Sequence, residues 1–441
     1  MKRFTISDLG ITSVLAALLA FAPQANSGES VLLTGATVHT VSGDTLSPGA
    51  VLMREGKVVS VSRNAAARAD KVVDLKGLHL YPGLILPSST LGLWEVSSVR
   101  ATRDFQEVGQ YTPDVESWIA VNPDSELLPV ARANGITHFL PVPTGGIVSG
   151  TSGLMQTSGW TIEEMAIKRP AALHLFWPSM RLDVPAVPPP PNAKTKAMDV
   201  QAKERKSRLK AIDDFFEEAK SYAKSRPAGK TAAEPPAIPA WEAMLPFVRG
   251  EIPLFIHADE VREIKAAVEW AVGRGYRVVI AGGRDAWRVA DLLAARKVPV
   301  IFEHVFTQPV RDTDAYDAQF KAAAVLHKAG VKFAFSEGFE SSGAYNARNL
   351  PYSAAQAAAF GLPRDVALRA ITLAPAEILG VAARLGSIEE GKDATLFASD
   401  GDILDIRSNV RRMWIAGQEV DLSSRHTRLY QKYKARPKTG N

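Results

Sequence analysis

Three apolar runs in this sequence end in side chains that can move protons or hold a divalent metal. Phe255-Ile256 leads into His257-Ala258-Asp259, Val300-Ile301-Phe302 into Glu303-His304, and Ala334-Phe335 into Ser336-Glu337-Gly338. Imidazole titrates near neutral pH, and a carboxylate beside it supplies the other half of a general acid–base pair. The same two groups ligate zinc, which lowers the pKa of a bound water to about 7. His257 is therefore both a catalytic and a metal-ligand candidate, with Glu337 and His304 the candidates for proton transfer. Adjacent residues of a strand point to opposite faces. At most one of Glu303 and His304 then faces a site, unless the strand has already ended.

Other run ends carry less chemistry. Residues 80–92 (LYPGLILPSSTLG) finish on Ser88-Ser89-Thr90. Hydroxyls are poor zinc ligands beside imidazole, so Ser88 and Thr90 are candidates for hydrogen-bonding a substrate or a water. Val278-Val279-Ile280 leads into Ala281-Gly282-Gly283-Arg284. Ala281 binds nothing, and the glycine pair permits either a close backbone approach or a tight strand-to-helix turn. Arg284 is the candidate substrate contact there. His39, His79, His138, His174, His327 and His426 lack comparable placement. Structural roles are expected for all six, with His138 and His174 the two that could reach a pocket. The chain has no cysteine, which excludes thiol nucleophiles, disulfides and thiolate metal sites. No Gly-x-Ser-x-Gly nucleophile elbow occurs.

Short β-branched runs at 31–41, 50–54 and 57–61, separated by glycine-containing turns, read as strands, and 72–74 and 78–81 add two more. A similar set, 391–397, 410–416 and 417–420, closes the chain. Between them, apolar strand-like runs (135–142, 253–257, 277–280, 298–302, 331–335) alternate with helical patterns such as 261–272 and 286–295. That alternation argues for a parallel α/β sheet or barrel with strands buried on both faces. Residues 184–239 interrupt the rhythm with a proline run, a charged helical segment and Pro235-Pro236. A surface insertion is expected, with a lid over a mouth as the sharper alternative.

The formal charge of +5 over 441 residues is too small to indicate a nucleic-acid groove. Lys2 and Arg3, the apolar run 11–22 and the small residues around Ala25 read as an export signal over 1–25, so the protein is expected to be periplasmic or secreted. No later segment is expected to span a membrane.

Residues 80–92 resemble the first barrel strand of the amidohydrolase superfamily, usually PGLID-x-H-x-H-x-G. Pro82, Gly83, Leu84, Ile85 and Gly92 fit that pattern, while Ser88 and Thr90 stand where both histidines belong. Residues 386–394 (GSIEEGKDA) resemble the superfamily's GSIE-x-GK-x-AD, with Thr395 for the final Asp, and 372–380 (TLAPAEILG) resemble T-x-NPA-x-x-LG, with Ala374 for Asn. Within the superfamily the chain most resembles the imidazolonepropionase-like amidohydrolases.

The resemblance implies an α/β fold: a TIM-like (β/α)8 barrel plus a small β-sandwich formed by the N- and C-terminal segments. The sandwich would take 30–81 and 385–425, and the barrel 82–384 with its insertion at about 184–239. His257 matches the family's fifth-strand histidine ligand, Ala281 stands near its sixth-strand histidine, and Glu337 or Ser336 occupies the region of its aspartate. The implied activity is hydrolysis of C–N bonds, other than linear peptide bonds, in a small cyclic amide or dipeptide-like substrate. Two alternatives stand beside it. One is a catalytically inactive homologue acting as a binding protein or partner subunit, and the other is metal-free chemistry around His257, His304 and Glu337. Zinc or another divalent metal is the implied cofactor, against which Ser88 and Thr90 count. A small-molecule substrate is the implied partner, with a homo-oligomer or pairing with an active amidohydrolase subunit left open.

Overall fold

The computed structural model describes residues 29–64, 67–184, 196–226, 237–340 and 342–436. The expected export signal lies outside the described residues, as do the proline-rich segments 185–195 and 227–236.

Eight strands form the barrel: β6 (Leu84–Ser89), β7 (Ile136–Pro141), β8 (Val148–Gln156), β9 (Ala166–Phe176), β10 (Leu254–Ala258), β11 (Val278–Gly282), β12 (Val300–Phe302) and β13 (Phe333–Phe335). They follow one another in chain order around the sheet. A parallel bridge from Ser89 to Gly338 joins the two ends. The Ser336 hydroxyl adds to this closure by accepting from the Ser88 amide and donating to the Ser88 carbonyl. The barrel is TIM-like with one exception. Strand β8 runs antiparallel to both neighbours, so β7, β8 and β9 are joined without the usual crossover helices.

Period two along each strand divides the apolar residues cleanly. Ile85, Leu140, Leu154, Ala172, Phe255, Val279, Ile301 and Ala334, one from each strand, pack together in the lumen. Their alternates, among them Leu84, Ile256, Ile280 and Phe302, pack outward against helices. Both faces are dry, which explains why these strands read as continuous apolar runs.

The helices are α1 (Leu127–Arg132), α2 (Ile162–Met165), α3 (Met198–Ser225), α4 (Pro239–Val248), α5 (Val261–Gly273), α6 (Ala290–Ala295), α7 (Ala318–Lys328), α8 (Gly343–Asn346), α9 (Leu350–Ala359), α10 (Arg364–Arg369), α11 (Leu373–Ile378) and α12 (Arg425–Lys434). Ile378 and Leu379, at the end of α11, join the lumen cluster and cap the N-terminal end of the barrel. The opposite, C-terminal end is left for side chains that do chemistry.

The charged helix α3 docks on the outer wall of the barrel between β9 and β10. Its Ile212, Phe216 and Ala219 are buried. The Phe216 ring meets Phe247, Trp270 and Tyr276 at 5.1–5.7 Å between centroids. Asp213 accepts a hydrogen bond from the Trp270 indole.

Both chain ends build a second sheet. Strands β1 (Val31–Val38), β2 (Leu46–Arg54), β3 (Lys57–Ser62), β4 (Lys71–Asp74) and β5 (His79–Pro82) meet β14 (Leu396–Ser399), β15 (Val410–Ile415) and β16 (Gln418–Glu419). The join is the antiparallel pair β5–β14, with Leu80 opposite Ala398. Leu33, Val51, Leu80, Leu396 and Trp414 share its core.

Candidate functional site

A cavity of 450 Å³ opens where β10, β11, β12 and β13 end. It is lined by His257, Asp259, Arg284, Glu303, His304 and Glu337, with Phe176, Trp177 and Phe339 as aromatic wall. A larger space of 640 Å³ lies at the opposite end of the barrel and contains no histidine.

His257 is the residue two after Phe255, so strand parity turns it into the lumen. Its Nε2 lies 3.0 Å from Nδ1 of His174, whose Nε2 lies 2.7 Å from the Ser152 hydroxyl. The ring stacks on Phe176 at 4.1 Å and meets the edge of Phe339 at 4.8 Å. His257 is 7% exposed, and its Nδ1 has no hydrogen-bond partner among the described residues. Burial holds its pKa down at about 3, against the opposing charge of Asp259. His174 is held well below the ordinary value by burial and by His257. Both imidazoles are neutral at physiological pH.

Asp259 and His304 form a pair. Oδ1 of Asp259 lies 2.8 Å from Nε2 of His304 and also accepts from the Arg284 amide at 3.2 Å. Burial works against ionisation of Asp259, but the His304 bond and charge and Arg284 outweigh it and hold the carboxyl below its usual range. An ionised Asp259 accepts a hydrogen bond from the Nε2–H of His304, which leaves Nδ1 as the lone-pair nitrogen. That Nδ1 is buried and has no hydrogen-bond partner among the described residues.

Gly282 makes the Asp259 position feasible. It sits at φ +87°, and a Cβ there would fall 2.6 Å from Asp259 Oδ1. The glycine pair therefore serves a close approach by a carboxylate, beyond forming a turn.

The other carboxyl groups are pushed the opposite way. Burial raises Glu303 to about 8, helped by the charges of Asp259, Glu340 and Glu337 and opposed by the Ser88 hydroxyl. Oε1 of Glu303 has no hydrogen-bond partner among the described residues. Burial raises Glu337 to about 7, although the Ser353 hydroxyl donates to it at 2.6 Å. Carboxyls with pKa values driven apart are the usual basis of an acid and a base working together.

The structure brings His257, His304, Glu337 and Arg284 together at this cavity. Glu303 and His304 both line it, because β12 ends at Phe302 and strand alternation no longer applies. Ser88 and Thr90, expected as substrate contacts, are fully buried and do not line the cavity. The closure of β6 on β13 draws them below its floor, where the Ser88 hydroxyl lies close enough to Glu303 to act on its carboxyl and the Thr90 hydroxyl has no hydrogen-bond partner among the described residues. From sequence, Asp259 was not singled out, Glu303 was weighed only against His304, and His174 was named only as a residue that could reach a pocket. All three share strand parity with lumen residues (Phe255, Ile301 and Ala172), and that signal could have found them.

A divalent metal centre needs several nitrogen or oxygen donors converging on one point. Among the described residues no group of three or more His, Cys, Asp and Glu is so arranged. Ala281 offers no donor, and the Ser336 hydroxyl is spent on the Ser88 backbone. His257, the expected ligand, turns its Nε2 to His174 and has no two further donors converging on it among the described residues, so this donor set does not fit a metal.

The family model described as Amidohydrolase family matches residues 147–421, a span that begins after β6 with its Ser88 and Thr90. Among curated proteins, amidohydrolase tasK of Hapsidospora irregularis is 27% identical over 201 residues, 43% of this chain and 20% of the relative. The match thus spans a fifth of that relative's length. Among solved structures, an amidohydrolase from Thermotoga maritima MSB8 is 28% identical at a TM-score of 0.75, covering 89% of this chain and 99% of that one. A zinc-bound adenosine deaminase from Xanthomonas campestris shares the fold at 17% identity and a TM-score of 0.51, covering 92% of this chain and 98% of that one. With most of its barrel and its returning C-terminal strands inside the matched span, this chain belongs to the amidohydrolase family.

Proposed function

We propose that this protein hydrolyses the C–N bond of a small cyclic amide or dipeptide-like substrate, using side chains in place of a metal. The observation that carries this reading is the Asp259–His304 pair beside a carboxyl group, Glu303, that stays protonated at neutral pH. His304 Nδ1 takes a proton from a water as the water oxygen attacks the amide carbonyl carbon. Asp259 stabilises the imidazolium that forms. The tetrahedral intermediate collapses with cleavage of the C–N bond, and Glu303 gives its proton to the departing nitrogen. The proton on His304 then returns to Glu303 through solvent, restoring both groups. His257, fixed by His174 and the aromatic wall, positions the substrate. A space of 450 Å³ suits a ligand of that size.

A second reading, a non-catalytic binding or partner subunit, is favoured by the missing imidazoles at Ser88, Thr90 and Ala281. Turnover of a panel of cyclic amides and dipeptides separates the two. The hydrolase reading expects product from the purified chain and a loss of about 10²–10⁴-fold in His304→Ala. No product from the parent protein, or equal rates in both, contradicts it.

We also propose export directed by residues 1–25, outside the cytoplasm and without pairing to nucleic acid. N-terminal sequencing of the protein from cell fractions tests this, and an intact Met1 in the cytoplasmic fraction overturns it.

A further inference from the structure

One loop after β13 carries Glu337, Phe339 and Glu340 to the cavity. Neither carboxylate forms an ion pair among the described residues, and Arg284 is the one lining side chain there that carries a fixed positive charge. Both acids act on Glu303 as like charges, so each lies within electrostatic reach of it. Phe339 sets its ring edge on His257 and crosses Phe176 at 5.1 Å, giving the same corner an aromatic wall. A second feature points to a ligand independently of the acids. His257 is 7% exposed, yet its Nδ1 in this wall finds no protein partner. A buried polar atom left open in this way calls for a group that arrives with the ligand.

We propose that the ligand carries a protonated amine or guanidinium, which sits between Glu337 and Glu340 against the Phe339 and Phe176 rings. A cation there compensates two carboxyl groups that line the cavity without an ion pair among the described residues and gains the face of an aromatic ring. Glu303 stays buried and remains free for the departing nitrogen. Arg284, on the other side of the cavity beside Asp259, disfavours a second cation at that end. The inference rests on the amide-hydrolase reading for its choice of amide probes, and it concerns recognition alone.

The test is calorimetric binding to the full mature chain of three probes of matched length. These are Nα-acetyl-lysinamide, Nα-acetyl-norleucinamide and the amide of Nα-acetyl-glutamic acid. The lysyl probe is expected to bind about tenfold tighter than the norleucyl probe, and the glutamyl probe weakest. In Glu340→Gln, an exposed position that does not threaten folding, the ratio of lysyl to norleucyl affinity falls toward one, and Glu337→Gln lowers it likewise. Equal affinities, a preference for the neutral or acidic probe, or no measurable lysyl binding overturns the proposal. So does an unchanged ratio in both variants. Binding is read without turnover, so a cation preference in an inert protein removes the hydrolase reading alone. Hydrolysis without that preference removes this one alone.

Discussion

In the proposed mechanism the chemistry rests on the opposed states of two carboxyl groups. Asp259 is held ionised by His304, and Glu303 is held protonated by burial. Asp259→Asn replaces an acceptor with an amide that can donate to His304 and turn its lone pair away from the cavity. It is expected to lower kcat/KM by about 10²-fold or more with an unchanged circular dichroism spectrum. Glu303 donates only when protonated, so the rate should fall as pH rises through about 8. Glu303→Gln removes that alkaline limb along with most of the activity, and a limb that persists in the variant contradicts the assignment. At this scale the sequence was half legible. His257, His304 and Glu337 stood out because each follows an apolar run. Glu303 was set against His304 because alternation allows only one of them to face a site, and the strand end at Phe302 that admits both is not visible in propensity. Asp259 was not weighed, because its place comes from continuing the parity of β10 beyond the strand. Ser88 and Thr90 misled because a motif gives the position of a residue and not the depth to which neighbouring strands bury it.

Among the elements, the parallel strands were easy to read and the antiparallel one was not. Strands β10 to β13 are continuous apolar runs, whereas β8 (VSGTSGLMQ) is rich in Gly, Ser and Thr. Its polar groups are satisfied inside the barrel, Ser152 by His174 and Ser149 by the Pro143 carbonyl, so burial without apolarity hid it. The turn after β11 is constrained by Asp259. Gly282→Ala puts a Cβ against Oδ1 and strains a positive φ, and should reduce activity at least about tenfold and stability by about 1–3 kcal/mol. Helix α3 makes the opposite kind of prediction. Phe216→Ala opens a hole among four aromatic rings and should cost about 3–5 kcal/mol in denaturant unfolding. KM should not change, because α3 contributes no residue to the cavity. A raised KM would mean that this helix acts on the mouth.

At the scale of the molecule, the GSIE-like and PGLI-like segments foretold a domain built from both chain ends, and β5 pairing with β14 is that join. The fold therefore depends on a long-range contact that closes last in sequence, which local patterning can suggest only through motif order. The buried titratable groups also set the pH range of the whole fold. Burial holds His138 and His257 near 3 and His39 near 4, whereas the unfolded chain charges them at 6.5. Between those limits the unfolded state binds more protons, so stability is lost as pH falls from about 6.5 towards 3. Glu303 and Glu337 are raised to about 8 and 7 from 4.5, so the native state binds more protons in that window. Their contribution is lost as pH rises from about 4.5 to 8. Melting temperature should pass through a maximum between about pH 6 and 7, and a curve that rises steadily to pH 9 would contradict these assignments.

The central claim of the proposed function is that the barrel mouth works through Asp259, His304 and Glu303 without a metal. The most direct measurement is the rate of amide hydrolysis by the purified protein before and after exhaustive chelation, with bound metal quantified in the same samples. The account predicts an unchanged rate after chelation and no restoration on adding zinc. Loss of activity on chelation and its recovery with about one equivalent of metal would contradict it.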